Sequence, residues 1–286
     1  LDSAPYPEQP IVPFLETIHD RVAIEVARGC TRGCRFCQAG YIYRPVRERQ
    51  PDTIRNLIDQ LLNHSGYDEV SLLSLSTGDY SAIETLMQNL MGCYADQSIA
   101  VSLPSLRVGS LTPELMNEIK KVRKTGFTLA PEAGSERLRQ VINKGINAED
   151  LVDSATAAFE LGWRIIKLYF MIGLPTETDE DLDALVELAA RVKKAGKGTQ
   201  GGADVNVSVS TFVPKAHTPF QWEAQIGYEE TIARQEMLRG ALKKKRLRLK
   251  WHDAEDLVVW EVSRGMVVDI TPNIIYEMET LAEQRA

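Results

Sequence analysis

A chain of 286 residues and 32.0 kDa, 44% hydrophobic and 26% charged, can bury a large core and has the composition of an ordinary globular protein, one large domain being expected rather than two. No apolar run of about eighteen residues occurs, which excludes a spanning helix, and "LDSAPYPEQPIVPFLE" has neither the basic nor the apolar region of a secretory signal, so a cytoplasmic location and no membrane contact are expected. A formal charge of −7 argues against general affinity for nucleic acid, and a first residue that is Leu1 rather than Met suggests a segment of a longer protein.

Taken in order, the chain repeats one unit, an apolar β-branched run followed by an amphipathic helical stretch. "RVAIEVA" (21–27) predicts a first strand. A cysteine-bearing loop follows, then a helix in "DTIRNLIDQLLNHS" with apolar positions Ile54, Leu57, Ile58, Leu61 and Leu62. "EVSLLSLS" predicts the second strand and "YSAIETLMQNLMGCY" its helix. "IAVSLPSL" is the third, before "TPELMNEIKKVRK", where Thr112 is a natural cap and Pro113 a natural first helical residue. "GFTLAPE" is a short fourth strand, before helical "SERLRQVI" and "AEDLVDSATAAFELG". "RIIKLYFMIGLP" and "ADVNVSVSTFVP" are the fifth and sixth, followed by helices in "TDEDLDALVELAARVKKAG" and "YEETIARQEMLRGALKKKR". Strands separated by helices call for parallel pairing, so the chain is α/β. Periodicity leaves open whether the sheet is doubly wound or curved into a partial barrel; in both, ligands gather at the C-terminal ends of strands.

"ARGCTRGCRFCQAG" places Cys30, Cys34 and Cys37 within eight residues, in a chain with one other cysteine, Cys93, which reads as a half-buried small apolar residue. In a reducing compartment such a group points to metal or catalysis rather than to disulfides. A closed zinc site wants four ligands, and His19 and His64 are distant in sequence. An iron–sulfur cluster held by three thiolates keeps one iron open, so three cysteines make a complete set. Gly29 and Gly33 suit the bends of such a loop.

"CTRGCRFC" resembles the CxxxCxxC pattern, with an aromatic before the last cysteine, of the radical S-adenosylmethionine (SAM) superfamily, and the resemblance runs from about Arg21 to about Pro219. It implies a partial (β/α)6 TIM-like barrel, a 4Fe-4S cluster on Cys30, Cys34 and Cys37, and SAM chelated at the open iron. One electron from the reduced cluster would cleave SAM to methionine and a 5′-deoxyadenosyl radical that abstracts hydrogen from a substrate. By matching motifs it places SAM near Phe36, near Thr77, Gly78 and Asp79 in "LSTGDY" (Asp79 a methylene shorter than the family's Glu), near Glu132 and Ser135 in "PEAGSE", near Ile172 and Gly173 in "FMIGLPTET", and near Val213 and Pro214 in "FVPKAHTPF". Arg107 is either a surface charge or a bidentate partner of the SAM carboxylate. Lys167, inside an apolar strand, needs a partner or an active-site cavity to receive it. The expected boundaries are a linker over 1–20, the core over 21–227, and a last core helix with a helical extension over 228–286.

These motifs are closest to the methylthiotransferase and cobalamin-dependent branch, and to a family with an upstream cobalamin-binding-like domain. That implies radical alkylation or group transfer, with cobalamin supplied by a domain outside this chain and a reductant such as flavodoxin or ferredoxin. A methylthiotransferase acting on RNA or a ribosomal protein is the neighbouring alternative, and it would need further cysteines for a second cluster. The other alternative is a non-catalytic metal scaffold that binds RNA through "RGALKKKRLRLK" (Arg239 to Lys250), seven basic residues and no acid, although a basic run also suits the C-terminus of a helix. Arg44, Arg47 and Arg49 are expected to anchor the cysteine loop or face an anion. Asp204, Trp251 and His252 are expected in core or loop roles rather than in substrate handling.

Overall fold

The computed structural model describes residues 1–15, 20–103, 107–109, 112–122, 127–199, 202–251 and 254. The elements run β1 (Val22–Glu25), β2 (Ala27–Arg28), α1 (Ala39–Ile42), β3 (Arg47–Glu48), α2 (Pro51–Ser65), β4 (Glu69–Leu73), α3 (Ile83–Tyr94) and β5 (Ala100–Ser102). They continue with α4 (Pro113–Ile119), β6 (Phe127–Glu132), α5 (Glu136–Val141), α6 (Ala148–Glu160), β7 (Ile165–Ile172), α7 (Asp179–Ala195), β8 (Asp204–Thr211), α8 (Tyr228–Lys244) and β9 (Arg248–Trp251). They fall into two compact units, Leu1–Thr31 with Tyr43–Thr128, and Arg32–Ile42 with Leu129–Ala286.

In the first unit β1, β4 and β5 form a parallel sheet in the order β1-β4-β5, with Val22 opposite Val70 and Val70 opposite Val101. The pairing follows from sequence, since α2 carries the chain from β1 back to β4 and α3 from β4 to β5. Helix α2 starts on Pro51, whose missing N–H is no loss at a first position, and ends where Gly66 turns left-handed and donates to the Leu62 carbonyl. Of the predicted apolar stripe it buries Ile54, Ile58 and Leu61, while Leu57 and Leu62 are half-buried. Thr112 caps α4 by accepting from the Leu115 N–H at 3.2 Å, as its sequence position suggested.

The second unit holds the four-stranded sheet β6-β7-β8-β9. Strands β7 and β8 pair in parallel from Ile165–Asp204 to Ile172–Thr211. Their sequences look apolar throughout, yet the faces differ: Ile166, Leu168, Phe170, Val205 and Val207 are wholly buried, while Lys167, Tyr169, Met171, Asn206 and Ser210 are only half-buried. Asn147 caps α6 reciprocally with Asp150.

Two strands were not expected: β3, antiparallel to β2 with Ala27 opposite Glu48, and β9. The end of the basic run does not continue a helix but forms β9, parallel to β8 with Asn206 opposite Arg248 and Val209 opposite Trp251. The break falls at Arg246, whose φ of 57° reverses the chain after α8. The third strand stops at Ser102, short of the "PSL" assigned to it, whose residues 104–106 lie outside the described residues. So do His19, His252 and the expected helical extension over 255–286.

Candidate metal and cofactor site

The cysteine loop leaves β2 through Gly29, whose φ is 99° and where a Cβ would strike the carbonyl oxygens of Tyr43 and Pro45, the latter at 2.7 Å. Only glycine fits there. The Cys30 N–H donates to the Tyr43 carbonyl at 3.2 Å. Farther on, the Cys37 N–H donates to the Cys34 carbonyl at 3.1 Å and the Gly40 N–H to the Cys37 carbonyl at 3.3 Å, a tight turn running into α1. None of the three cysteines is in a disulfide and all are half-buried, Cys30 among the residues of the first unit and Cys34 and Cys37 among those of the second. Among the described residues no three His, Cys, Asp or Glu side chains are gathered as a metal-holding group. The chemistry of the donor set nevertheless fits an iron–sulfur cluster, which needs soft, free, accessible thiols rather than oxygen ligands. Cys93, on α3, is also free and half-buried.

Within the second unit the loop is tied to the end of α5. The Arg35 backbone N–H donates to the Ile142 carbonyl at 2.9 Å and its Nη1 to the Val141 carbonyl at 2.6 Å, so Arg35 satisfies carbonyls that the helix end leaves without partners. Asn143 Nδ2 donates to the Gly33 carbonyl at 2.8 Å, and Gln38 Nε2 to the Ala216 carbonyl at 3.2 Å. Phe36 packs against the cluster of Ala133, Leu138, Ile142, Leu174, Phe212 and Phe220. Sequence reasoning missed Arg35, Gln38, Asn143 and Lys144. The signal for two of them was the "NKG" that ends α5.

Lys144 links two of the expected residues, with its Nζ 3.0 Å from Glu132 Oε1 and 6.0 Å from the centre of the Phe36 ring. Glu132 closes β6 with a φ of 68°, a left-handed conformation that a non-glycine residue holds only when its surroundings fix it. Ser135 has a local role: its Oγ accepts from the Leu138 N–H at 3.0 Å as the cap of α5 and donates to Asp181. Asp181 also takes the Thr178 N–H and the Arg137 guanidinium. Burial alone would raise its pKa, but the bonds from Ser135, Thr178 and Arg137 outweigh burial and hold it below the usual carboxylate value.

In the first unit, Thr77, Gly78 and Asp79 make a single 3-10 turn after β4. Thr77 is fully buried, its Oγ1 donating to the Leu72 carbonyl at 3.2 Å, and Asp79 accepts from Ser76 Oγ at 2.7 Å. Arg107 is half-buried. At the ends of β1 and β4 lies a cavity of about 460 Å³, lined by residues including Glu25, Arg28, Gly29, Tyr43, Leu73 and Ser74, a size that suits a small ligand. Of the three arginines after the cysteines, Arg49 is 1% exposed, with Nε on the Glu25 carbonyl at 3.2 Å and its guanidinium 5.4 Å from the Tyr6 ring. It is an internal anchor, whereas Arg44 and Arg47 are exposed.

At the end of β7, Ile172 is fully buried and its carbonyl accepts from the Phe212 N–H at 2.8 Å. Gly173 has a φ of 76°, and a Cβ there would meet Ile226 Cγ1 at 2.7 Å. Its N–H donates to Glu177 Oε1 at 2.8 Å, and the same carboxylate is paired with Arg234. Burial raises the pKa of Glu177 against the opposing pull of the Gly173 N–H and Arg234. Val213 and Pro214 follow β8, half-buried.

The basic run is divided among helix, turn and strand, and several of its charges are taken. Arg239 pairs with Glu236 and stands 5.6 Å over the Trp251 ring, Lys245 lies 2.7 Å from Glu187, and Arg248 lies 3.5 Å from Asp204. No described helix is long and apolar enough to cross a membrane.

The radical SAM superfamily model matches residues 24–189, more than half of the chain and inclusive of the three cysteines. The chain belongs to that superfamily. Membership implies an enzyme with a 4Fe-4S cluster and SAM as cofactors. An uncharacterized protein of Methanocaldococcus jannaschii is 37% identical over 82% of this chain and 50% of its own length. A tRNA-2-methylthio-N(6)-dimethylallyladenosine synthase of Desulforamulus reducens is 27% identical over 59% of this chain and 39% of its own. The chain therefore spans about half or less of the length of these relatives. Among solved structures, the radical SAM methyltransferase TsrM from Kitasatospora setae, with cobalamin and a 4Fe-4S cluster bound, matches 74% of this chain and 40% of its own with a TM-score of 0.56 at 15% identity. Coproporphyrinogen III oxidase HemN from Escherichia coli, a radical SAM enzyme, matches 79% and 52% with a TM-score of 0.54 at 13% identity. At such identities the likeness speaks for the fold, the TIM-like α/β arrangement of radical SAM enzymes.

Proposed function

We propose that Cys30, Cys34 and Cys37 hold the 4Fe-4S cluster and that this chain is the radical-generating core of an enzyme that transfers or attaches a carbon or sulfur group. The observation that carries the reading is the half-buried cysteine triplet, none of it in a disulfide, in CxxxCxxC spacing inside the segment matched to the superfamily. When bound, the cluster supplies the electron that cleaves SAM into methionine and a hydrogen-abstracting 5′-deoxyadenosyl radical. The chain's own residues then position SAM. Phe36 presents its backbone to the adenine, flanked by Ile172, Gly173, Val213 and Pro214. Thr77, Gly78 and Asp79 face the amino group, with Arg107 on the carboxylate and Glu132 on the ribose or carboxylate. The cavity beside Gly29 and Ser74 supports a ligand at the strand ends of the first unit. The two bonds that Ser135 already makes favour a supporting role for it, through the cap of α5.

Within that class the reading taken is group transfer with cobalamin supplied by another domain. Methylthiotransfer is the alternative, and since the triplet leaves only Cys93 here, its second cluster would be held outside this chain as the cobalamin would be. The reductant is a small electron carrier such as flavodoxin or ferredoxin. RNA contact through Arg239 to Lys250 finds little support, because Arg239, Lys245 and Arg248 have acidic partners at hand. Anaerobic reconstitution with iron and sulfide tests the reading. Electron paramagnetic resonance of the reduced protein should show a cluster signal that shifts on adding SAM, with 5′-deoxyadenosine as product. A cluster indifferent to SAM would overturn it.

A further inference from the structure

The cavity of the first unit has apolar walls and a cationic rim. Its polar wall groups are already engaged. The Ser74 hydroxyl donates to Thr77 Oγ1 at 3.1 Å and accepts the Ser76 N–H at 3.2 Å, and Glu25 holds Arg28 through two bonds of 2.7 and 2.6 Å. The rest of the lining includes the side chains of Ala27, Tyr43, Leu73 and Leu75, with bare backbone at Gly29. Tyr43 is 51%, Leu73 40% and Leu75 48% exposed, so the cavity is open to solvent and three large apolar side chains stand wet around it. Covering them with an apolar group is favourable, and the engaged polar atoms of the walls ask nothing further of it.

Arg28, one of the lining residues, stands directly opposite Arg47 across the β2–β3 ribbon. Opposed residues of an antiparallel pair share one face with their Cβ atoms about 5 Å apart, where like charges destabilise. Both arginines are exposed, and among the described residues Arg47 has no ion pair of its own. Their charges converge on Glu25. The bond from Arg28 holds its carboxyl below the ordinary value against burial, and the charges of Arg49 and Arg47 add to the pull. One carboxylate thus answers three guanidiniums, of which Arg49 is buried and Arg28 and Arg47 are open to solvent. We infer that the cavity and this arginine pair together bind a small amphiphilic acid as substrate, its apolar body in the cavity and its carboxylate or phosphate bridging Arg28 and Arg47. A bridging anion turns the repulsion into charge-assisted hydrogen bonds on two planar forks. Gly29 precedes Cys30, and the Tyr43 carbonyl takes the Cys30 N–H at 3.2 Å, so the apolar body lies at the Cys30 end of the cysteine loop, where a radical enzyme needs C–H bonds. The assignment rests on the radical SAM reading for the ligand's being a substrate, and on the first unit alone for its geometry.

The test is calorimetric titration of the reconstituted chain with four probes: hexanoate and hexyl phosphate, which have both parts; acetate, which has the acid alone; and 1-hexanol, which has the apolar body alone. Hexanoate should bind at least about tenfold more tightly than acetate, because each buried methylene is worth about fourfold. It should exceed 1-hexanol by about tenfold through its charge. Arg47→Gln should weaken hexanoate and hexyl phosphate by about tenfold and leave 1-hexanol unchanged. That variant removes a repulsion, so it should melt no lower than the wild type, and weaker binding in it is not a failure to fold. Leu75→Ser should weaken hexanoate and 1-hexanol alike, by about fivefold, and spare acetate. Hexanoate should bind equally well with SAM present. A preference for hexyl phosphate would make the acid a phosphate ester and the reverse a carboxylic acid, both orders upholding the arginine pair. Equal affinity for hexanoate and acetate, wild-type affinity for hexanoate in Arg47→Gln, displacement of hexanoate by SAM, or no binding of any probe overturns the site. Because titration requires no SAM cleavage, Arg47-dependent binding without 5′-deoxyadenosine would refute the proposed function and leave the site standing. The opposite pattern would do the reverse.

Discussion

Replacing Glu177 by Ala probes how the end of β7 is held. The Glu177 side chain is 2% exposed and is shared between the Gly173 N–H at 2.8 Å and Arg234, itself 18% exposed. Breaking a buried ion pair by removing one member costs about 3–5 kcal/mol. Arg234 keeps Glu230 at 2.6 Å, which places this case at the lower end, about 3 kcal/mol. The stranded Gly173 N–H adds about 1 kcal/mol. At roughly 2–4 °C per kcal/mol for a chain of this order of size, melting should fall by about 8–16 °C. Glu177→Gln, which keeps the shape and an acceptor for Gly173, should lose less than half of that. The pH dependence has a definite sign. Burial raises the folded-state pKa above 4.5, so the associated stability is fully present below 4.5 and is lost as pH rises through the folded value. The Gln variant should lack that slope. Differential scanning calorimetry of the variants across pH measures both effects. A Glu177→Ala protein that melts with the wild type would refute the account of the strand end.

Cys34→Ala should remove the cluster and all SAM cleavage, read as iron content and 5′-deoxyadenosine; retained cleavage would refute the ligand assignment. Ser135→Ala should destabilise the fold by about 1–2 kcal/mol through the lost cap of α5. It should also shift acid unfolding to higher pH, because Asp181, held below 3.8, contributes stability that is present above 3.8 and lost as pH falls through its folded value. An unchanged acid midpoint would count against the Ser135–Asp181 bond. Gly134→Ala should cost about 3 kcal/mol or more in chemical denaturation, since its Cβ would overlap the α7 backbone, lying 2.7 Å from the Ala184 carbonyl carbon, which cannot yield as a side chain could.

Six strands, their helices and the cysteine loop were legible because each carries a local signature. The strands are β-branched, Thr112 precedes Pro113, and three cysteines sit within eight residues. What escaped was set by tertiary contact. "RLRLKW" is too short and too charged to announce a strand, and it becomes β9 because β8 offers a free edge. The faces of β7 and β8 could not be told apart from apolar runs alone, so Lys167 was flagged as needing a partner without Asn206 being recognised as its cross-strand neighbour. Ser135 was matched to a ligand because of its motif, yet its local hydrogen bonds are those of a helix cap. Arg35 and Asn143 hold the loop through backbone carbonyls, and such partners leave no mark on a sequence.

Strand β9 also bears on solubility during folding. Without it, β8 would end the described sheet with a row of bare amide and carbonyl groups along "VNVSV", a template for pairing with another chain. With it, the outermost strand carries Arg248 and Lys250, both exposed, whose like charges repel a second copy approaching edge to edge. A basic run that invites a reading as a binding patch thus acts as a guard against self-association, and shortening the chain before Arg248 should be felt first as aggregation.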